Sequence, residues 1–419
     1  MGKRCITILI LLLSLFAGRA VGQIDIYLST EKSGRGKIPI VVTEIEREDG
    51  TLRESAVYIT RVLEKDLGYS GYFDPLRFEP GSDTLAGAVT AAAVFRGSLE
   101  REGERYSLDV RLLDFLSGET IFTKRYIFGA SARRKVAHHI CDEITYFLIG
   151  ERGIATTRLL FCRRSGESKD LYVIDYDGFG ERRLTRGELA VSPLWLDTGR
   201  LLYTSYKRGN PDCYAIDLGA GKKSLMSYRK GLNLASSYLP SQGLVAMTLS
   251  IKGNSEVYLL DPSGKVARRL TRNRAIDCSP SWAPNGTELV FVSDRTGTPQ
   301  VYVMDKFGGN VRRLSRGSYN TAPAWSPTGE SIAYVARGNG LYRLKLAAPD
   351  GLAEQTLFDD YYSYEDPSWA PNGKHLAATV KYAGEPWIVV IDTETGEKRR
   401  LVRGEFASWS PVESRAADE

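Results

Sequence analysis

The chain is poor in the residues that most metal and acid–base chemistry needs. Three histidines serve 419 residues, two adjacent (His138 and His139) and one alone (His375). Imidazoles placed like that give no ligand set for a transition metal. Five cysteines stand far apart and form no C-x-x-C, so neither a zinc motif nor a dithiol redox motif is signalled. No G-x-S-x-G elbow exists, which leaves serine-hydrolase chemistry without its nucleophile. No apolar run approaches the roughly 20 residues that span a bilayer. An excess of one charge is missing too, since the formal net charge is +5. These absences argue against catalysis, a cofactor, an integral membrane segment and a nucleic-acid partner.

What is present begins with an export signal. Lys3 and Arg4 precede an apolar run from Ile6 to Phe16, and Ala20-Val21-Gly22 supplies small residues for a cut after Gly22. Residues 1–22 carry Lys3, Arg4 and Arg19 and no acid, so the mature charge falls to +2. Export permits disulfides. Cys141, Cys162, Cys213 and Cys278 are nonetheless expected to be mostly free and buried, because a chain this long can build large cores without them.

The second half repeats. An aromatic anchor followed by a turn recurs as Trp195-Leu-Asp-Thr-Gly, Tyr238-Leu-Pro-Ser-Gln, Trp282-Ala-Pro-Asn-Gly, Trp325-Ser-Pro-Thr-Gly, Trp369-Ala-Pro-Asn-Gly and Trp409-Ser-Pro, at spacings of 43, 44, 43, 44 and 40. Strand-like runs follow at fixed offsets, among them Leu171-Tyr-Val-Ile-Asp, Val257-Tyr-Leu-Leu-Asp and Val301-Tyr-Val-Met-Asp. Short β-rich runs at this period, separated by Gly/Pro/Asn turns, describe propeller blades, which bury their faces only against neighbours. After Trp409 too little chain follows to complete a blade. The missing strands lie before the first anchor, at Arg158–Cys162 and Leu171–Asp175. The reading is a six-bladed propeller closed by strand exchange between its ends, which leaves no open edge. Asp175, Asp217, Asp261, Asp305 and Asp392 end strands before Gly turns and are read as turn caps. Oxygen ligands along a central channel would suit Ca²⁺, but no cofactor is expected. The recurring arginine pairs Arg182-Arg183, Arg268-Arg269, Arg312-Arg313 and Arg399-Arg400 are read as one solvated position reused.

Residues 23–150 lack the period. Ile38-Pro-Ile-Val-Val reads as a buried strand, Ser55–Leu67 as an amphipathic helix, Ala86–Ala93 as helical, and Val94–Phe128 as a strand meander. A last helix over Ala132–Leu148 places Val136, Ile140, Ile144, Phe147 and Leu148 on one face. The expected organisation is a signal peptide over 1–22, an α/β domain over 23–150, the propeller over 151–413 and a tail over 414–419.

The anchors W-[SA]-P-[ND]-G with their L-Y-V-[IM]-D strands resemble the TolB propeller repeat. Ile38-Pro-Ile-Val-Val, Lys65-Asp-Leu-Gly-Tyr-Ser-Gly-Tyr-Phe, Ala137-His138 with Asp142-Glu143-Ile144, and Gly150-Glu-Arg-Gly153 resemble that family's N-terminal half. The resemblance implies a non-enzymatic, periplasmic protein-binding scaffold of the Tol–Pal system, supporting outer-membrane integrity and constriction at division. The implied partners are the lipoprotein Pal at one mouth of the propeller and TolA through the segment after the signal peptide. Other outer-membrane proteins and bacteriocins are further implied partners. On this chain the TolA segment would begin Gln23, Ile24, Asp25, Ile26, Tyr27, Leu28 and run to about Ser33; its alternation suits strand addition to a partner and equally an edge strand of the first domain. The Pal-facing loops would lie just before the anchors: Asn233 to Ala235, Asp277-Cys278, Asn320-Thr321, and Tyr362 through Tyr364, Glu365 and Asp366. A His and a Thr associated with Pal binding in the family are Leu232 and Cys278 here, which puts individual contacts in doubt. The rival reading is a secreted propeller enzyme, peptidase- or lyase-like.

Overall fold

A computed structural model describes residues 36–47, 49–78 and 91–412. The signal peptide, the segment 23–33, most of the 86–93 stretch and the tail from 413 lie outside them. Within the last stretch Ala93 opens a strand rather than ending a helix.

The N-terminal part is a mixed sheet with two helices on one face. Its strands are β1 (Ile38–Thr43), β2 (Glu46–Arg47), β3 (Phe73–Phe78), β4 (Ala93–Glu102), β5 (Arg105–Asp114) and β6 (Thr120–Phe128), with helices α1 (Arg53–Tyr69) and α2 (Arg133–Ile149). The order is β3-β1-β4-β5-β6, with β2 beside β4. β1 runs parallel to both neighbours, which buries Ile40, Val41 and Val42 and explains its unbroken apolar run. β4–β6 form the expected antiparallel meander, with alternate residues such as Phe95, Leu108, Val110 and Leu112 turned under the helices. On α2 the inward face is Val136, Ala137, Ile140, Cys141 and Ile144. Phe147 departs from the expected face: it is exposed and stacks on Phe122 with ring centres 4.8 Å apart.

Six four-stranded antiparallel sheets follow. Five are continuous in sequence: blade 1 from Ala190 to Ser227, blade 2 from Asn233 to Arg269, blade 3 from Asp277 to Arg313, blade 4 from Asn320 to Thr356 and blade 5 from Tyr364 to Arg403. Blade 6 is assembled from both ends of the repeat region. Its innermost strand Glu405–Trp409 pairs antiparallel with Arg158–Ser165, which continues into Ser168–Asp175 and Arg182–Arg183. The strand exchange read from the anchor spacing is therefore present. The tryptophan anchors end the innermost strands and Tyr238 stands one residue before the end of its own, each packing between its blade and the previous one. The hydroxyl one residue before an anchor accepts from the next anchor's backbone N–H: Ser237 from Trp282, Ser281 from Trp325 and Ser368 from Trp409, at 3.0–3.1 Å. That repeated bond explains the serines beside the aromatic residues.

The turn-cap reading holds at four aspartates. Asp217, Asp261, Asp305 and Asp392 accept backbone N–H groups of the turns that follow them; in the first turn Asp177 serves instead of Asp175. The arginine pairs are not simply solvated. Arg183 bonds the buried Asp170, Arg269 bonds the buried Glu256, and Arg399 donates to the carbonyl of Tyr176. All four described cysteines are free, with Cys278 half-buried and the others buried. Burial pushes the Cys213 thiol up to about 12.

The α/β part docks on blades 5 and 6 through one continuous apolar core, in which Leu63, Leu67 and Ile140 share a cluster with Phe161, Tyr172, Ile388 and Trp409. Gly71 marks the closest approach. A Cβ there would meet an Asp392 carboxylate oxygen at 2.5 Å, and its φ of +77° already favours glycine. Around it Arg399 lies over the Tyr69 ring at 4.1 Å, and Lys374 over Tyr72 at 4.5 Å.

Candidate functional site

The propeller axis is lined by one dipeptide per blade: Ser192-Pro193, Ala235-Ser236, Ser279-Pro280, Ala322-Pro323, Asp366-Pro367 and Phe406-Ala407. They line a solvent-open cavity of about 150 Å³. Each innermost strand bulges at this point. In five blades the bulge puts a non-glycine residue, Ser192, Ser279, Ala322, Asp366 or Phe406, into the left-handed region at φ of 48–57°. Blade 2 is the exception; there Ala235 keeps its regular pairing with Met247, and Ser236 replaces proline. Such strain persists only where surrounding contacts over-determine it, here a closed ring. Asp366 is the single ionisable residue of this lining. Burial, and after it the carboxylates of Glu365 and Glu405, push its carboxyl up to about 7.

The segments read as pre-anchor loops are the first residues of the innermost strands, and many are structural. Asn233, Asp277 and Asn320 occupy equivalent, fully buried positions. Asn233 donates to the carbonyls of Pro211, Arg229 and Gly231; Asn320 donates to Gln300 and the Arg316 carbonyl; Asp277 accepts from Asn273 and Arg295. These side chains tie down the connection into each blade and offer a partner no surface. Tyr364 is likewise a core residue. It is fully buried, stacks on Phe358 at 5.2 Å and donates its hydroxyl to Asp360. Ala235 is buried in the channel wall, and Glu365 pairs with Lys381 at 3.3 Å. Cys278, Thr321 and Glu365 are partly open, and Tyr362 is exposed.

What sequence reasoning missed are the neighbours of those residues. In an antiparallel blade the connection into the innermost strand and the turn between the second and third strands share one rim. Backbone bonds join them here: Tyr206 donates to Leu189, Ser250 to Leu232, and Asp294 to Ile276. Exposed apolar side chains gather on that rim: Leu189, Tyr206, Tyr228, Ile251, Ile276, Tyr361 and Tyr362. Tyr361 is 95% exposed and Tyr228 68%. Seven of the eleven exposed large apolar side chains among the propeller's described residues stand on this rim, with Phe179, Phe307, Val311 and Leu352 on the opposite one, which makes this rim the candidate interaction surface. The one sequence signal was that these segments are unlike from blade to blade while the cores repeat.

A second polar constellation lies between the α/β part and blade 6. Asp66 of α1 holds His138 of α2 through Nδ1 at 2.6 Å and accepts the Tyr176 hydroxyl at 2.6 Å. Beside it Arg134 pairs with the buried Asp177. Asp66, His138 and Asp177 bring metal-type ligand atoms within 4.8 Å of one another. Both Asp66 oxygens are engaged, however, and the Arg134 guanidinium already neutralises Asp177, so the cluster reads as a buried clasp between the two parts.

The comparisons agree with this architecture. The family model described as the TolB beta propeller domain matches residues 146–413. The Tol-Pal system protein TolB of Gluconobacter oxydans is 34% identical over 382 residues, covering 86% of this chain and 81% of that one. The protein of the same name from Desulfosudis oleivorans is 33% identical over 270 residues, 60% of this chain and 61% of its own length. The crystal structure of TolB from Acinetobacter baumannii, 24% identical, superposes with a TM-score of 0.79 over 91% of this chain and 98% of that one, which shows the shared fold. With the N-terminal α/β part, the strand-exchanged sixth blade and a family match over well more than half its length, the chain belongs to the TolB β-propeller family.

Proposed function

We propose that this protein is a periplasmic, non-enzymatic scaffold of the Tol–Pal system. On this reading it is exported with cleavage after Gly22 and engages the lipoprotein Pal at the rim carrying Tyr228, Ile276 and Tyr362. TolA is engaged through the segment starting at Gln23, and the assembly supports outer-membrane integrity and constriction at division. The observation that carries it is the rim itself, where exposed apolar side chains encircle the channel mouth. Curated relatives named as Tol-Pal system proteins support it. No helix among the described residues is long and apolar enough to cross a membrane.

The test is calorimetric titration of the mature protein with the soluble domain of the Pal lipoprotein from the same genome, and separately with the TolA C-terminal domain. Tyr228→Ala with Ile276→Ala should weaken the first at least tenfold, about 1.4 kcal/mol, while removal of residues 23–33 should abolish the second alone. Absence of binding between wild-type protein and either partner would overturn that half of the reading.

A further inference from the structure

The rim is polarised. Six connecting segments reach it from blades 1 to 4, at 206–211, 228–232, 250–255, 270–276, 294–299 and 314–319. Together they hold nine Lys or Arg and a single acid, Asp294, in a chain whose formal charge is only +5. Asp294 is occupied in accepting the Ile276 N–H. Of the cations, Arg208 faces Asp212 and Arg295 faces Asp277. Lys207, Lys230, Lys252, Arg272 and Arg274 are exposed, and none is ion-paired among the described residues. The cations are also interleaved with the apolar side chains: Tyr206-Lys207, Tyr228-Arg229-Lys230, Ile251-Lys252, and Arg274 beside Ile276. The opposite rim of the same blades has no such excess, since Asp197, Asp261, Glu330 and Asp350 there stand against Lys265 and Lys306. Across the mouth the connecting segments at 166–167, 184–189 and 357–363 turn acidic, with Glu167, Glu188, Asp359 and Asp360 against Arg186; Glu188 pairs there with Lys223, and Asp359 and Asp360 with Arg343.

We propose that the arc over blades 1 to 4 recognises an acidic, apolar-studded face of a folded protein partner, whose register is set by the acidic side of the same mouth. Each apolar–basic pair sits on a short turn fixed by backbone bonds, so the arc presents a rigid pattern that a partner of fixed shape can match. Arg beside tyrosine and isoleucine suits the dry part of a protein interface, and the lysines suit carboxylate pairing at its polar rim. A uniformly anionic lipid surface fits less well, because the acidic half of the mouth repels what the basic half attracts. Complementary fields of this kind act mainly on partner choice and association rate, and salt screens them. The inference rests on the reading of this rim as the docking site, and it adds the charge of the partner's face.

The experiment compares the wild-type mature protein, the rim variant Lys230→Glu/Lys252→Glu/Arg274→Glu, and the opposite-rim control Lys265→Glu/Lys306→Glu, all confirmed folded by thermal melts. Three probes are titrated at 50 and 300 mM NaCl: the soluble domain of the Pal lipoprotein, a 20-residue polyglutamate peptide, and vesicles containing 30% phosphatidylglycerol. The rim variant should lose at least tenfold in lipoprotein affinity and most of the salt dependence, and should lose polyglutamate binding; the control should lose neither. Lipoprotein binding that is unchanged by the rim charges overturns the inference while leaving the docking site in place. If the wild-type protein binds no lipoprotein, the site assignment fails, and polyglutamate binding that is equal in all three proteins overturns the basic arc on its own. Vesicle binding by the wild type that the rim variant loses, without loss of polyglutamate discrimination, makes the arc a membrane contact and overturns the choice of a protein.

Discussion

The indole N–H of Trp409 donates to the hydroxyl of Thr157 at 2.9 Å, joining residues 252 positions apart in the chain. The bond sits inside blade 6, where Trp409 also pairs with Leu159 and where the Trp195 indole of blade 1 donates to the Ser408 carbonyl at 3.1 Å. Strand Glu405–Trp409 thus belongs to the core of two blades. Deleting residues 405–419 should unfold the propeller as a unit, with a large drop in melting temperature and one transition rather than a frayed end. A midpoint unchanged by that deletion would show that the ring does not depend on its exchanged strand. The milder Thr157→Val should cost about 1 kcal/mol, the usual net worth of a buried hydrogen bond.

The two tyrosines before Trp369 should separate cleanly. Tyr364 is enclosed by Phe358, Asp360 and Lys398, so Tyr364→Ala should cost about 3–5 kcal/mol of stability, as for other large buried side chains. Tyr362, which touches the Tyr382 ring at 4.7 Å and is otherwise exposed, should lose less than about 1 kcal/mol when truncated. Urea unfolding of the single variants measures both, and equal losses would contradict the assignment of Tyr364 to the core.

Asp366 carries a pH signature. Its carboxyl titrates near 7 in the folded protein against roughly 4 in an unfolded chain. Between those values the native state holds a proton that the unfolded state has released, so this residue's contribution to stability falls as pH rises from 4 to 7 and is least above 7. His375, lowered to about 4 by burial, acts in the opposite direction over pH 4 to 6.5, and so the comparison must be differential. Asp366→Asn should raise the melting temperature at pH 8 and change it little at pH 5. An equal gain at both pH values would show that the carboxyl is ionised throughout.

The channel bulges predict opposite effects for one substitution. Ala322 sits at φ +48°, where an L side chain is strained by about 1–2 kcal/mol, so Ala322→Gly should be neutral or stabilising despite the added freedom of the unfolded chain. Ala235, its counterpart in blade 2, is in regular pairing and buried. There Ala235→Gly should cost about 1–2 kcal/mol from backbone entropy and a lost buried methyl. Thermal melts of the pair test the bulge geometry directly.

Blade count, closure and the sheet-and-helix character of the first part were legible because each leaves a pattern: 40 to 44 residues between anchors, uninterrupted apolar character in β1, and a 3.6-residue repeat in α1. The candidate site was legible only in outline. Asn233, Asp277 and Asn320 looked like surface because they are polar and open a strand, but the chain must be held where it drops from the outer to the inner strand: the buried amides of Asn233 and Asn320 bind backbone carbonyls there, and Asp277 binds the Asn273 and Arg295 side chains. The rim residues Tyr228, Ile251 and Ile276 were invisible for the converse reason. Each is the one exposed large apolar residue of its turn, and its significance comes from five other turns brought beside it by closure. Charge was hidden in the same way, since a near-neutral total conceals nine cations gathered on one arc.

The exchanged sixth blade also fixes an order of events in folding. Strands Arg158–Ser165 and Ser168–Asp175 emerge early, yet their inner neighbour is the last strand described, Glu405–Trp409. Until the chain through Trp409 is available, the early strands present an unpaired edge, and the core that joins α1 and α2 to blade 6 lacks Trp409. The docked N-terminal part and the finished rim therefore arise together, once strand Glu405–Trp409 is in place, and a chain lacking that strand offers a partner neither.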